Sequence, residues 1–189
     1  MLKKEDILKN RYKIIRQIGQ GGTAKTYLAR DSSTNKDVVL KVVDMKDLTD
    51  WKVLELFKRE TKVLKALDHP NIPDYIDNFQ INQLENSLFV LVQEFIDGST
   101  IKHLIMSGHR FSNSEIIDIL MNLLEILVYI HNLKPAVIHR DINPKNIIIT
   151  KEGTVFLVDF GAVGSIVRDA QTAGSSNTFV GTIGYMAQE

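Results

Sequence analysis

Short polar motifs interrupt the apolar runs of this 189-residue chain in one order. They are Gly19-Gln20-Gly21, Lys41, Glu60, His139-Arg140-Asp141 with Asn146, Asp159-Phe160-Gly161 and Ala187-Gln188-Glu189. The order constrains the fold because the runs between the motifs change character along the chain. Early runs are short and rich in β-branched and aromatic residues: Tyr12 to Ile18, Thr26 to Ala29, Val38 to Val43, Tyr75 to Ile81 and Leu88 to Phe95. That composition predicts strands. One helix interrupts them, predicted over Trp51 to Leu67 with Leu56, Val63, Leu64 and Leu67 at helical spacing, ending before His69-Pro70-Asn71-Ile72. Asp97-Gly98-Ser99 reads as a joint between a strand-rich part, 1–96, and a helical part, 97–189.

In the second part, Ser112-Asn113-Ser114-Glu115 has the pattern of a capping box opening a helix to about His131. Its apolar residues, from Ile116 to Ile130, cover most of the circumference, which predicts burial on nearly all sides. Ile147 to Ile149 and Val155 to Val158 flank Lys151-Glu152-Gly153-Thr154 as a hairpin. The fold class is α+β.

Composition narrows the function classes. The chain has no cysteine, hence no disulfide, thiolate nucleophile or cysteine metal site, which suits a reducing, cytoplasmic setting. No apolar run approaches a membrane span and no signal-peptide core follows Met1. The formal net charge is zero, but residues 1–65 carry 16 Lys and Arg against 9 Asp and Glu, and residues 66–189 carry 7 against 14. Two solvated faces of opposite sign explain this split, although a basic first part would also attract a nucleotide. Without a dense basic patch interleaved with aromatics, nucleic acid is not expected as a partner.

A glycine-rich turn lets backbone N–H groups approach phosphate oxygens, and Gly19 to Ala24 is such a turn. Lys41 lies within the apolar strand Val38 to Val43, where an ammonium needs a partner, and Glu60 is the expected one. An aspartate and an asparagine oxygen near a polyphosphate, here Asp159 and Asn146, suit Mg²⁺. Together these motifs supply a phosphate cover, a cation, a base and two metal ligands.

The ordered set resembles the eukaryotic-like serine/threonine protein kinases, in a bacterial style, over nearly the whole chain. The resemblance implies a bilobal kinase-like fold: an antiparallel sheet N-lobe with one main helix, and a mostly helical C-lobe that is incomplete here. It implies that ATP and Mg²⁺ are used to phosphorylate a protein serine or threonine, with Asp141 as base and Lys41 and Glu60 positioning the phosphates. Asn146 and Asp159 would take the metal. The nucleotide would meet Ile18, Gly19, Gln20, Gly21, Gly22, Thr23, Ala24, Lys25 and Thr26. Adenine would lie between the lobes against Val39 and Ile148 and bond the backbone from Glu94 to Ile96, with Gln93 at the gate of the pocket. His139 and Phe160, with Leu64 and Tyr75, match the family's apolar spine, while His69 and His131 read as packing or capping residues. Arg140 would receive a phosphorylated loop residue, best matched by Thr178, with Thr172, Ser175 and Ser176 as runners-up.

Three departures stand out. Ala24 replaces the third glycine, Gln188 replaces the proline of the closing motif, and Asn143 replaces the lysine two residues after the aspartate. That lysine normally stabilises charge on the transferring phosphate, and Lys145 is close enough in sequence to compensate. Gly181 to Met186 resembles the serine/threonine version of the substrate loop. In family members further helices follow Glu189, so the chain reads as a fragment with an apolar patch exposed for self-association. The departures leave two other readings: a nucleotide-binding pseudokinase or remnant acting as a binding module, and, third, a small-molecule kinase. The Asp-Phe-Gly motif and the Gly181–Met186 loop speak against the last.

Overall fold

A computed structural model of the chain describes residues 2–21, 24–47, 51–83, 86–162 and 164–165. They fall into two units, one formed by 1–61 with 74–95 and the other by 62–73 with 96–189.

The first unit is a six-stranded antiparallel sheet. Its strands are β1 (Ile7–Leu8), β2 (Tyr12–Gln20), β3 (Ala24–Asp31), β4 (Lys36–Asp44), β5 (Tyr75–Gln83) and β6 (Asn86–Glu94), in the order β1-β2-β3-β4-β6-β5. Side chains alternate across a strand, and Tyr12, Ile14, Tyr27, Ala29, Val38, Leu40, Val42, Val90 and Val92 form the core on one face. Lys41 falls between Leu40 and Val42 and therefore on the other face, in register with Thr26 of β3 and Leu91 of β6.

Helix α1 (Trp51–Leu64) follows β4. It ends three residues before the predicted Leu67; Ala66 and Leu67 bond back only three residues, to Val63 and Leu64. Its buried stripe also differs from the predicted one. Leu54, Phe57 and Leu64 are buried and Glu60 lies in line with them, whereas Leu56 and Val63 are only half-buried. The helix presents the face that carries its glutamate.

In the second unit, β7 (Gly98–Thr100), α2 (Ile101–Met106), α3 (Asn113–His131), β8 (Val137–Ile138), β9 (Ile147–Thr150), β10 (Val155–Leu157) and β11 (Gly164–Ser165) follow in sequence. A three-stranded sheet runs β10-β9-β7, and β8 pairs with β11. Gly98, within the expected joint, is a strand residue whose added Cβ would lie 2.6 Å from both Ile148 Cγ2 and Ile149 O. Only glycine permits β7 to approach β9 so closely. Asn71 fastens the segment after α1 to β10, donating from Nδ2 to Val155 O at 2.8 Å and accepting from Leu157 N–H at 3.0 Å.

The capping box forms as expected. Ser112 accepts the Glu115 N–H, and the Glu115 carboxylate accepts the Ser112 N–H. Burial of α3 on nearly all sides does not hold, whereas the exposed apolar patch that was expected is present on it. Only Leu123, Ile126 and Ile130, a single stripe of helical spacing, are buried, while Ile116, Ile117, Leu120, Met121, Leu124 and Val128 are exposed. Among the described elements the helix meets β8 and β10 most extensively, and two short strands cover one face of a cylinder.

Candidate active site

The first unit carries a turn and an ion pair. Strands β2 and β3 hold Gly19 opposite Thr26 and Gln20 opposite Lys25, and Gly21 N–H donates to Ala24 O at 2.8 Å to close the turn. Ile18 is partly exposed beside it. Gly22 and Thr23, expected at the tip, lie outside the described residues. Lys41 Nζ meets both oxygens of Glu60, at 2.8 and 2.7 Å, across 19 residues of sequence. Glu60 is buried and the lysine side chain keeps 17 % exposure. The half-buried ammonium thus has the anionic partner that its desolvation demands. Val39 is buried on β4. Glu94 closes β6 with its N–H already donated to Asp74 O at 2.9 Å, so this N–H is not available to a purine.

The second unit carries a loop folded around one carboxylate. Asn143 Nδ2 donates to Asp141 Oδ1 at 2.9 Å and to Asp141 O at 3.1 Å. Asn146 Nδ2 donates to Asp141 Oδ2 at 2.9 Å and to Asp141 O at 2.8 Å. Both carboxylate oxygens are therefore held by amides that are themselves buried. The loop is pinned from outside as well, since Lys102 N–H at the start of α2 donates to Pro144 O at 2.8 Å. Lys145 Nζ stands 3.6 Å from Asp141 Oδ2.

Asp159 follows β10, and Val158 N–H donates to Asn146 O at 2.9 Å, which fixes the end of that strand against the Asp141 loop. Arg140 and Asp159 both have positive φ, at 66° and 65°. Such backbone is uncommon outside glycine and concentrates at functional sites. His139 lies between the two segments. Its Nδ1 accepts the Asp141 N–H at 3.3 Å, so Nε2 carries the proton that it donates to Val158 O at 3.3 Å. Burial pushes this imidazole below its ordinary pKa, against the opposing pull of Val158 O, Asp159 and Asp141. The ring is a neutral strut, edge-on to Phe160 with centroids 4.7 Å apart.

A metal fits this donor set in a particular way. Among the described residues no three His, Cys, Asp or Glu side chains cluster to hold an ion. An amide oxygen and a carboxylate are what Mg²⁺ takes when phosphate oxygens and water complete its shell. With its nitrogen committed to Asp141, Asn146 has its amide oxygen to offer, while the Asp159 carboxylate accepts the Gly161 N–H on Oδ1 at 3.3 Å.

Residues 12–189 match the protein kinase domain family. The chain belongs to that family. The kinase domain is 36% identical to the serine/threonine-protein kinase PknA of Nostoc sp., over 98% of this chain and 34% of the relative. It is 37% identical to serine/threonine-protein kinase C of Synechocystis sp., over 97% and 35%. Against PrkC of Bacillus subtilis the identity is 29%, over 96% and 27%. The chain thus spans about a third of the length of these relatives or less. The antiparallel-sheet unit and the second unit with its paired strands are those of the protein kinase fold.

The structure brings Lys41 together with Glu60, and Asp141 with Asn146. Ile96 and Ile148 lie in the second unit, one buried and one half-buried. Arg140, expected to need an anionic loop residue, already interacts within the chain. Thr178, Gly181–Met186 and Ala187-Gln188-Glu189 lie outside the described residues. Sequence reasoning treated Asn143 only as a lost lysine and missed its bonds to Asp141. The available signal was the spacing Asp-x-Asn-x-Lys, in which Asn143 accepts the Lys145 N–H in an Asx turn and its amide nitrogen reaches back to Asp141.

Proposed function

We propose that the chain transfers the γ-phosphoryl group of ATP to a serine or threonine hydroxyl of a protein. The observation that carries this reading is the Asp141 carboxylate, fixed on both oxygens by the buried amides of Asn143 and Asn146. A carboxylate held that way keeps its direction while its remaining lone pairs accept a hydroxyl proton. In the transfer, the acceptor hydroxyl gives its proton to Asp141 and its oxygen bonds the γ-phosphorus. The bridging P–O bond breaks and its electron pair leaves on ADP. Lys41, set by Glu60, would hold the α- and β-phosphates, and the Gly19–Thr26 turn would cover them. Asn146 and Asp159 would hold Mg²⁺, which would supply neutralising charge to the phosphate oxygens. Val39 and Ile148 would supply apolar surface for adenine. The retention of Lys41, Asp141, Asn146 and Asp159 together disfavours a pseudokinase.

The names of the relatives support serine and threonine as acceptors. No helix among the described residues is long and apolar enough to cross a membrane, and a cytoplasmic site of action fits ATP as donor. The test is transfer from radiolabelled MgATP to a protein acceptor, with phosphoamino-acid analysis of the product. Asp141→Ala should lower the rate about 10³-fold, and the label should be on serine or threonine. An unchanged rate in that variant contradicts the assignment.

A further inference from the structure

We propose that Lys145 supplies the cation at the transferring phosphoryl group, in place of the lysine that family members carry where this chain has Asn143. This deepens the phosphotransfer reading and rests on it. Asn143 carries no charge and its amide is already committed. It is buried, donates twice to Asp141 and accepts the Lys145 N–H on Oδ1 at 3.0 Å. Those bonds make it a positioning residue for the base.

Lys145 is held differently at its two ends. Its backbone is anchored through that N–H and through the neighbouring Pro144 carbonyl, bonded to Lys102. Its side chain keeps 50% exposure, with Nζ 3.6 Å from Asp141 Oδ2. The simpler reading is a surface ion pair at i,i+4 spacing, which contributes little. Two observations weigh against it. A charge-assisted hydrogen bond is about 2.7–2.9 Å long, so at 3.6 Å the ammonium stands off from the carboxylate. Both Asp141 oxygens already accept an amide hydrogen, so the base is held without the lysine.

A hydroxyl bonded to Asp141 lies roughly 3 Å from it, with the phosphorus it attacks about 3–3.5 Å beyond. An ammonium on a flexible four-carbon stem beside that carboxylate can reach the oxygens of the transferring group. Lys145 exchanges no proton in the step. The hydroxyl proton goes to Asp141 and the electron pair leaves on ADP, while the ammonium offsets charge on the phosphoryl oxygens.

The experiment compares the full chain with Lys145→Met and Lys145→Arg. It measures kcat for transfer and, by calorimetry, the affinities for MgADP and for the magnesium complex of a β,γ-imido ATP analogue. Lys145→Met should lower kcat about 10²-fold, as loss of one electrostatic donor does. It should weaken the analogue about fivefold while leaving MgADP unchanged, because only the analogue carries a γ-phosphoryl group. Lys145→Arg should recover at least a tenth of the parental kcat. A merely structural lysine would shift both affinities by the same factor or neither, and that result overturns the proposal, as does a kcat within threefold of the parent. A parent chain that binds neither nucleotide and transfers nothing overturns the kinase reading, and this proposal falls with it.

Discussion

Two buried carboxylates in the first unit are each met by a cation, and the manner of holding differs. Asp31 is satisfied by an arginine 20 residues earlier and by the turn that follows it. It accepts Arg11 Nε and Nη2 at 2.7 Å each, the Ser33 N–H and hydroxyl at 2.9 and 2.8 Å, and the Thr34 hydroxyl at 3.0 Å. Glu60 sits on a helix and receives Lys41 Nζ from a strand 19 residues earlier. In the first pair a planar fork and a turn use up the carboxylate, which makes it a latch for the β3–β4 connection. In the second a compact ammonium, still 17 % exposed, is set in place by an acid that is itself buried. Burial of an ion pair alone does not separate structure from function. On the proposed reading, what separates them is whether the chain consumes the charged group or positions it for phosphate.

Exchanging the two cation types probes the difference, because arginine and lysine are not equivalent at a bidentate or point-charge site. Lys41→Arg keeps the charge but replaces a compact ammonium with a broad fork. Phosphotransfer is expected to drop about 10²-fold, with Tm nearly unchanged, as read from rates and thermal melts. An active Lys41→Arg variant would break the comparison. Arg11→Lys should do the reverse, with stability lowered by about 1 kcal/mol through the lost second hydrogen bond and the rate unaltered. Chemical denaturation gives the first quantity and the transfer assay the second.

The smallest effect is in pH. Hydrogen bonds from Arg11 hold Asp31 well below the usual carboxylate range, outweighing its burial. Its contribution is therefore complete above the ordinary value of about 3.8 and fades only as pH falls below it. His139 is depressed by burial, so it stays neutral in the fold while the unfolded chain takes up a proton near pH 6.5. Stability should be greatest above pH 7 and decline as pH falls through 6.5, by at most about 1.4 kcal/mol per pH unit. Melts of the parent between pH 5 and 8 should show that slope, and His139→Phe should flatten it. A slope retained in the variant would assign the effect elsewhere.

Much of the candidate site was legible because its parts are local. Asp141, Asn143 and Asn146 lie within six residues, and the spacing alone brings their side chains together. The Lys41–Glu60 pair could be inferred from the cost of a charge in an apolar strand, without any view of the sheet. The direction of Lys145 could not, because it depends on where the Asn143 amide turns and on the Lys102–Pro144 bond, made across 42 residues. The same holds for β7, β8 and β11, of two or three residues each. They are strands only by virtue of distant partners and carry no period of their own. The circumference of α3 was over-read as buried, because apolar residues around a helix state what could be buried and not which neighbours arrive, although an exposed patch was expected.

The most direct measurement sets the two pairs side by side. Initial rates of γ-phosphate transfer from MgATP are taken for Glu60→Gln and Asp31→Asn, each at a temperature where circular dichroism shows it folded. Glu60→Gln should fall about 10²-fold below the parent, while Asp31→Asn should match the parent despite a lower Tm. Equal rates for Glu60→Gln and the parent, or a comparable loss in Asp31→Asn, would contradict the division between a positioned cation and a consumed one.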